Sequence, residues 1–321
     1  MVSEYQEKGF FDPRPGLVFA VECEIDTNGS TPYRANPRPM NKPKKTSWTP
    51  LSVKLMKDDI IEPCSSPEFL SCPVLVKKKT GRGKPPNWRL CVDYRVLNSK
   101  TKPRPHVMPR IDYVLSQLGK AMVFTTIDLS QGFHQFAKRK ADRDKTAFGT
   151  PHRGSYRYKR MPFDLKNACF TFQSVMDKVL DGALYKYCMA FIDDVVIYSN
   201  NWADHARHLA DVFERLERAG FTVNPNKVHI GCQRIKLLGH IVEPGKVSPD
   251  PEKVRAINQY PAPVCVKGIQ RFLGAVGFYR AYIELFSKLA APLSNSLKDG
   301  VDWSWGLQEH EFRLCQGGPH L

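Results

Sequence analysis

AFIDDVVIYS, residues 190–199, sets Asp193 and Asp194 side by side between two apolar, β-prone runs. Two readings compete. Asp is common in turns because its side chain bonds local backbone and tolerates unusual dihedrals, so the pair can be a plain hairpin tip. Alternatively, carboxylates on a rigid turn offer the hard oxygen ligands that Mg²⁺ prefers. The second reading requires another carboxylate elsewhere in the chain, a phosphate substrate and a positive surface.

The positive charge is present. The 321 residues carry a formal net charge of +16, which points to a polyanionic partner, and nucleic acid is the commonest one in a cell. The length allows two or three subdomains and a sizeable core. The sequence has no apolar run of about 18 residues, so no membrane-spanning helix is expected. The start, MVSEYQEKGFFDPRPG, lacks the charged-then-apolar pattern of a signal peptide. Nine cysteines without a Cys-x-x-Cys pair fit a reduced, intracellular setting.

Outward from the double Asp, the chain alternates strands and helices. Residues 1–49 read as an irregular, Pro-rich basic lead-in, with PYRANPRPMNKPKK at its end, and a short helix is expected over 50–59. SCPVLVKKK and NWRLCVDYRVL read as two strands around the basic loop TGRGKPP. Residues 77–95 hold seven Lys or Arg against the single acid Asp93, with Trp88 embedded, a pattern suited to gripping phosphate. AMVFTTID, 121–128, is a β-branched strand ending on a carboxylate. Apolar residues at 172, 175, 176, 179 and 180 mark one helix face. DHARHLADVFERLERAG puts Leu209, Val212, Phe213 and Leu216 on another, closed by Gly220. KLLGHIV reads as a strand. In KGIQRFLGAVGFYRAYI, Ile269, Phe272, Leu273, Val276 and Tyr279 form an apolar stripe. The pattern predicts an α+β fold with an antiparallel hairpin at its centre and a helical subdomain from about residue 246. His205, His208, His229 and Cys232 do not have the spacing of a zinc finger.

Asp128 supplies the third carboxylate. If its strand neighbours the hairpin, Asp128, Asp193 and Asp194 meet at one rim, as two-metal phosphoryl transfer requires. Lys78 and Arg89 can then clamp phosphates, one as a point charge and the other as a fork.

FTTIDLSQGFHQ, KTAFGTPHRGSYRYKRMPFDLKNACFTFQ, FIDDVVIYS and LLGHIV resemble, in order and spacing, the reverse transcriptase of gypsy-type LTR retrotransposons, which is related to retroviral reverse transcriptases. CPVLVKKKTG and NWRLCVDYRVLN look like that family's fingers strands. VSPDPEKVRAINQYPAPVCVKGIQRFLGAVGFYRAYI looks like its thumb. The resemblance spans about residues 60–305 and rests on six ordered motifs. It implies a right-hand polymerase, with fingers and palm over 50–245 and thumb over 246–300. It also implies RNA-directed DNA synthesis from deoxynucleotides on a primed RNA or DNA template. Asp128, Asp193 and Asp194 fall on the catalytic carboxylates, which hold two Mg²⁺ ions, with Mn²⁺ as the alternative. The carbonyl of Leu129 falls on an additional metal ligand. Phe133 falls on the ring that excludes a ribose 2′-hydroxyl, although Phe is also a common core residue. Lys78 and Arg89 fall on the triphosphate pair. Phe163 and Asp164 lie in the turn near the incoming nucleotide. Lys227 falls on the lysine that protonates pyrophosphate, and Leu238, Gly239 and His240 fall in the primer grip.

The departures are Asp164, where the family usually has Gly, and Cys169, where it has Pro. Residues 301–321 begin like the segment leading to an RNase H domain and then turn unfamiliar, so a polyprotein fragment is expected. The expected setting is cytoplasmic, within virus-like particles, with the nucleus as the alternative. The competing reading is a weakly active, basic nucleic-acid-binding remnant.

Overall fold

A sheet of four antiparallel strands carries the double Asp, and a computed structural model describes it together with residues 2–36, 39–77, 88–150, 154–298 and 307–316. The chain first runs α1 (Val2–Glu7), β1 (Val18–Cys23), α2 (Lys42–Lys57), β2 (Ile61–Cys64), β3 (Cys72–Lys77), β4 (Trp88–Asp93), α3 (Arg95–Lys100) and α4 (Ile111–Leu118). It continues through β5 (Val123–Asp128), β6 (Phe136–Lys138), β7 (Phe148–Thr150), β8 (Gly154–Tyr158), α5 (Ala168–Val179), β9 (Cys188–Phe191), β10 (Asp194–Ser199), α6 (Trp202–Arg218) and β11 (His229–Cys232). The last part holds β12 (Ile235–Leu237), β13 (His240–Glu243), β14 (Lys246–Pro249), α7 (Pro251–Asn258), α8 (Val266–Gly277), α9 (Phe286–Asn295) and α10 (Leu307–Gln316). Two units result. The first comprises 1–117 and 121–232, the second 118–120 and 233–321.

In the first unit the central sheet has the order β11-β5-β10-β9. Val195, Val196 and Ile197 of β10 are all buried, so both faces of this strand are covered and its sequence is a continuous apolar run. The anticipated stripe of α6 is buried at Leu209, Val212, Phe213 and Leu216, and Gly220 follows it at φ +84°. In α5, Phe172, Val175 and Met176 are buried. His205 also faces inward. Its ring nitrogens lie 2.7 Å from Thr125 Oγ1 and 3.0 Å from Ser199 Oγ, so this histidine serves helix–sheet packing. The two expected fingers strands pair antiparallel as β3 and β4.

The lead-in departs from expectation. Residues 2–25 carry α1 and β1 and join the core: Tyr5 and Phe10 pack on Phe213, and β1 pairs parallel with β6. The helix expected over 50–59 is α2, which begins at Lys42. Asn41 caps it, Pro43 opens its first turn where the missing N–H costs nothing, and Pro50 is accommodated inside.

The second unit begins at 233, earlier than the boundary at 246, because the sheet β12-β13-β14 precedes its helices. KLLGHIV is two strands rather than one. Leu237 pairs with His240, and Leu238 and Gly239 between them have φ of +46° and +79°, the two left-handed positions of a tight hairpin turn. Ile269, Phe272, Val276 and Leu293 form the helical core as the stripe predicted. Residues 307–316, expected as a lead-out, belong to that core: Phe312 packs on Phe272 at a tilt of 52° with centroids 4.5 Å apart, and Cys315 is fully buried.

Candidate active site

The register of the central sheet brings the carboxylates together. β5 and β10 pair antiparallel with Asp128 directly opposite Asp194. β9 and β10 close on Phe191 and Asp194, which leaves Ile192 and Asp193 as the turn. Ile192 has φ +57°, an unfavourable left-handed conformation for a β-branched residue. A buried amide holds it there. Gln173 Oε1 accepts the Ile192 N–H at 2.8 Å, while Gln173 Nε2 donates to the Ala190 carbonyl at 3.1 Å.

A second buried amide fixes the strand end that carries Asp128. Gln135 Nε2 donates to the carbonyls of Ser130 (2.9 Å) and Thr222 (2.8 Å), and its oxygen accepts the Thr222 N–H at 2.8 Å. The Asp128 carbonyl accepts from Asn224 N–H at 3.0 Å, and Leu129, buried, bridges Val223. Lys227 is thereby delivered to the rim, its Nζ 2.9 Å from Asp128 Oδ2. Sequence reasoning passed over both glutamines. The available signal was a glutamine within two residues of a phenylalanine, in FHQ and FQ, beside an otherwise apolar pattern.

Electrostatics at the rim follow from burial first and from like charge second. Asp193 and Asp194 remain open to solvent, yet surrounding protein and the neighbouring carboxylates raise both pKa values, that of Asp194 to about 6. Among the described residues no three His, Cys, Asp or Glu side chains are gathered at metal-binding distance, so the carboxylates share a rim without forming a closed cluster.

Those predicted nucleotide residues that the structure describes adjoin this rim. Gly132, next to Phe133, lies so near the turn that a Cβ there would be 3.4 Å from Asp193 Cβ and 3.0 Å from the Phe172 ring. The Phe133 ring packs on Phe172 (5.2 Å) and edge-on to Phe163 (6.4 Å). The Arg89 guanidinium stands 5.5 Å from the Phe163 centroid, a cation–π contact. His134 lies under Phe163 at 5.1 Å and stacks on Tyr158. Burial pushes its pKa down to about 3, and its Nε2 has no hydrogen-bond partner. Asp164 adopts φ +67°; its carbonyl accepts from Asn98 Nδ2 at 2.7 Å. Lys78 lies outside the described residues. Leu238, Gly239 and His240 belong to the second unit. There the Tyr279 hydroxyl donates to the Gly239 carbonyl at 2.9 Å, and His240 sits among Phe278, Tyr279 and Tyr282.

An antiparallel sheet with carboxylates at the end of two paired strands, joined to a β3–β4 ribbon and followed by a helical unit, is the right-hand polymerase fold. Solved structures agree. The chain superposes on a foamy viral protease-reverse transcriptase in complex with double-stranded DNA with a TM-score of 0.85 at 21% identity, covering 97% of this chain and 54% of that one. A second structure, the foamy viral protease-reverse transcriptase in complex with RNA/DNA hybrid, gives 0.80 at 20% identity, covering 99% and 44%. A sequence model described as "Reverse transcriptase (RNA-dependent DNA polymerase)" matches residues 76–242. The chain belongs to that family, in its gypsy-type retrotransposon branch. It is 41% identical over 298 residues to the retrovirus-related Pol polyprotein from transposon gypsy of Drosophila melanogaster. It is 37% identical over 276 residues to that from transposon opus of the same fly. Those matches cover 91% and 86% of this chain but 28% and 27% of the polyproteins, so the chain spans little more than a quarter of the length of these relatives.

Proposed function

We propose that the chain is the polymerase portion of a retrotransposon Pol polyprotein, an RNA-directed DNA polymerase extending a primer on an RNA or DNA template. The observation that carries this is the opposition of Asp128 and Asp194 across one ladder, with Asp193 on the adjoining turn. Asp128, Asp193, Asp194 and the Leu129 carbonyl would hold the Mg²⁺ ions, two by the family pattern, with Mn²⁺ as the alternative. The donors fit: all are hard oxygens, and a divalent cation relieves the carboxylate repulsion that adds to burial in raising Asp194. When bound, such ions make a primer 3′-hydroxyl more acidic and stabilise charge on the triphosphate and pyrophosphate.

The chain's own residues divide the remaining work. Arg89 and Lys78 grip phosphate oxygens. Arg89 is oriented by the Phe163 ring beneath its guanidinium. Phe133, wedged against Phe172, fills the space a ribose 2′-hydroxyl would need. Lys227 holds a proton at Nζ beside Asp128, available to the leaving pyrophosphate. Leu238 and Gly239, the turn, and His240, the first residue of β13, support the primer.

Extension of a DNA primer on an RNA template by the purified chain tests the reading. Asp128→Asn should abolish synthesis and leave template binding intact, because phosphate contacts bind the duplex independently of the chemistry. Equal synthesis by parent and variant sinks it. Two residues favour the second reading, a weakly active nucleic-acid-binding remnant. Asp164 occupies a left-handed position, and Lys138 is fully buried with the Cys23 thiol at 3.7 Å. Binding without extension would select that reading.

A further inference from the structure

We infer that Asp177 and His106 are positioning residues for the carboxylate turn, acting through Gln173; the inference rests on the assignment of Asp193 and Asp194 to the catalytic rim. A continuous hydrogen-bond chain runs from solvent to the turn. His106 Nε2 lies 2.6 Å from Asp177 Oδ2. Gln173 Nε2 donates to Asp177 Oδ1 at 2.9 Å, and Gln173 Oε1 accepts the Ile192 N–H at 2.8 Å. Gln173 is fully buried, whereas the side chains of His106 and Asp177 are 34% and 31% exposed.

The logic lies in the amide. A carboxamide can rotate half a turn and exchange its oxygen for its nitrogen. A carboxylate and a carbonyl can only accept, so Asp177, together with the Ala190 carbonyl at 3.1 Å, draws the Gln173 nitrogen and leaves the oxygen for Ile192. That bond holds a β-branched residue at φ +57°, against its own preference. His106, arriving from the segment before α4, supplies the other donor to Asp177 and keeps the carboxylate facing inward. Asp177 and Gln173 lie four residues apart on α5, the spacing at which helix side chains meet.

Two measurements on the full chain test this: hydrogen exchange at the Ile192 amide, and steady-state primer extension. Asp177→Leu should speed Ile192 exchange by about three- to tenfold, the worth of one net hydrogen bond. It should lower kcat by a similar factor and leave the nucleotide KM unchanged. His106→Phe should move both in the same direction by less. Gln173→Glu sets carboxylate against carboxylate and should impair both readouts. Adding Asp177→Asn should recover part of both, because the new amide nitrogen donates to Glu while the Ala190 carbonyl still lacks its donor. The proposal is overturned by unchanged Ile192 exchange in Asp177→Leu, by faster exchange with intact kcat, or by a uniform rise in exchange across the first unit. If the parent shows no extension that Asp128→Asn abolishes, the functional reading has failed instead, and the exchange arm alone decides whether Asp177 sets the turn.

Discussion

Asp164→Gly separates backbone strain from charge at one residue. The φ of +67° puts an L-residue in the left-handed region, which costs about 1–2 kcal/mol for most side chains, with Asp at the low end because it bonds locally. The conformation is held from outside: Asn98 Nδ2 donates to the Asp164 carbonyl at 2.7 Å, and Asn98 Oδ1 accepts the Lys166 N–H at 2.8 Å. Gly relieves the strain but returns freedom to the unfolded chain, so the net gain is about 0.5 kcal/mol. Asp164→Ala keeps the strain and lacks the tolerance of Asp for this region, and should lose about 1 kcal/mol. On the proposed function, the charge would act on nucleotide rather than on stability. Two unit charges about 6 Å apart at an effective dielectric of about 20 interact by roughly 3 kcal/mol, and solvent and Mg²⁺ reduce this toward 1.4 kcal/mol, or about tenfold in KM. Urea unfolding and steady-state extension are therefore measured on the Gly, Asn and Ala variants. Stability should order Gly above Asp and Asn, with Ala lowest. Gly and Asn should both lower the nucleotide KM. An Ala variant as stable as Gly refutes the strain account, and an unchanged KM in both Gly and Asn variants refutes the charge account.

Phe133→Ala should admit ribonucleotides, measured as the ratio of ribo- to deoxynucleotide efficiency; an unchanged ratio returns Phe133 to a core role. His134 has a folded pKa near 3 against an ordinary value of 6.5, so the unfolded chain binds the proton first, and stability falls as pH drops through this window. Its contribution is a loss of about 2 kcal/mol at pH 5 relative to neutral pH, which His134→Phe should remove while keeping the stack on Tyr158; parallel stability–pH curves for parent and variant would contradict this. Lys138→Met replaces a fully buried ammonium, whose pKa burial lowers, by an apolar chain of similar length, and should stabilise the first unit by about 1–2 kcal/mol in denaturant unfolding. A destabilised variant would mean the ammonium has a compensating role.

The parts of the fold legible in the sequence are those where one physical signal dominates. The β5–β10 rim was readable because β-branched runs end on carboxylates, and α6 because its stripe keeps helical spacing over 17 residues. Residues 2–25 were not. A six-residue helix is too short to show periodicity, and the burial of Tyr5 and Phe10 depends on Phe213, far along the chain. The turn at Leu238 was missed because a Leu at φ +46° gives no left-handed signal of its own. The site's carboxylates were visible as residue types, but Gln135 and Gln173 act through backbone groups that only the folded register brings to them.

The parallel pairing of β1 with β6, and the bond from the Val223 N–H to the Phe10 carbonyl, also constrain how the chain matures. A ribosome adding about 5–20 residues per second reaches Phe213 some 10–40 s after Phe10 has been made. Through that interval Phe10 lacks its aromatic partner on α6. High contact order of this kind slows folding, since long loops must close before any contact rewards them. The first unit is thus built to fold after its synthesis is nearly complete, and a nascent chain stalled before α6 would expose an aromatic surface for chaperones to cover.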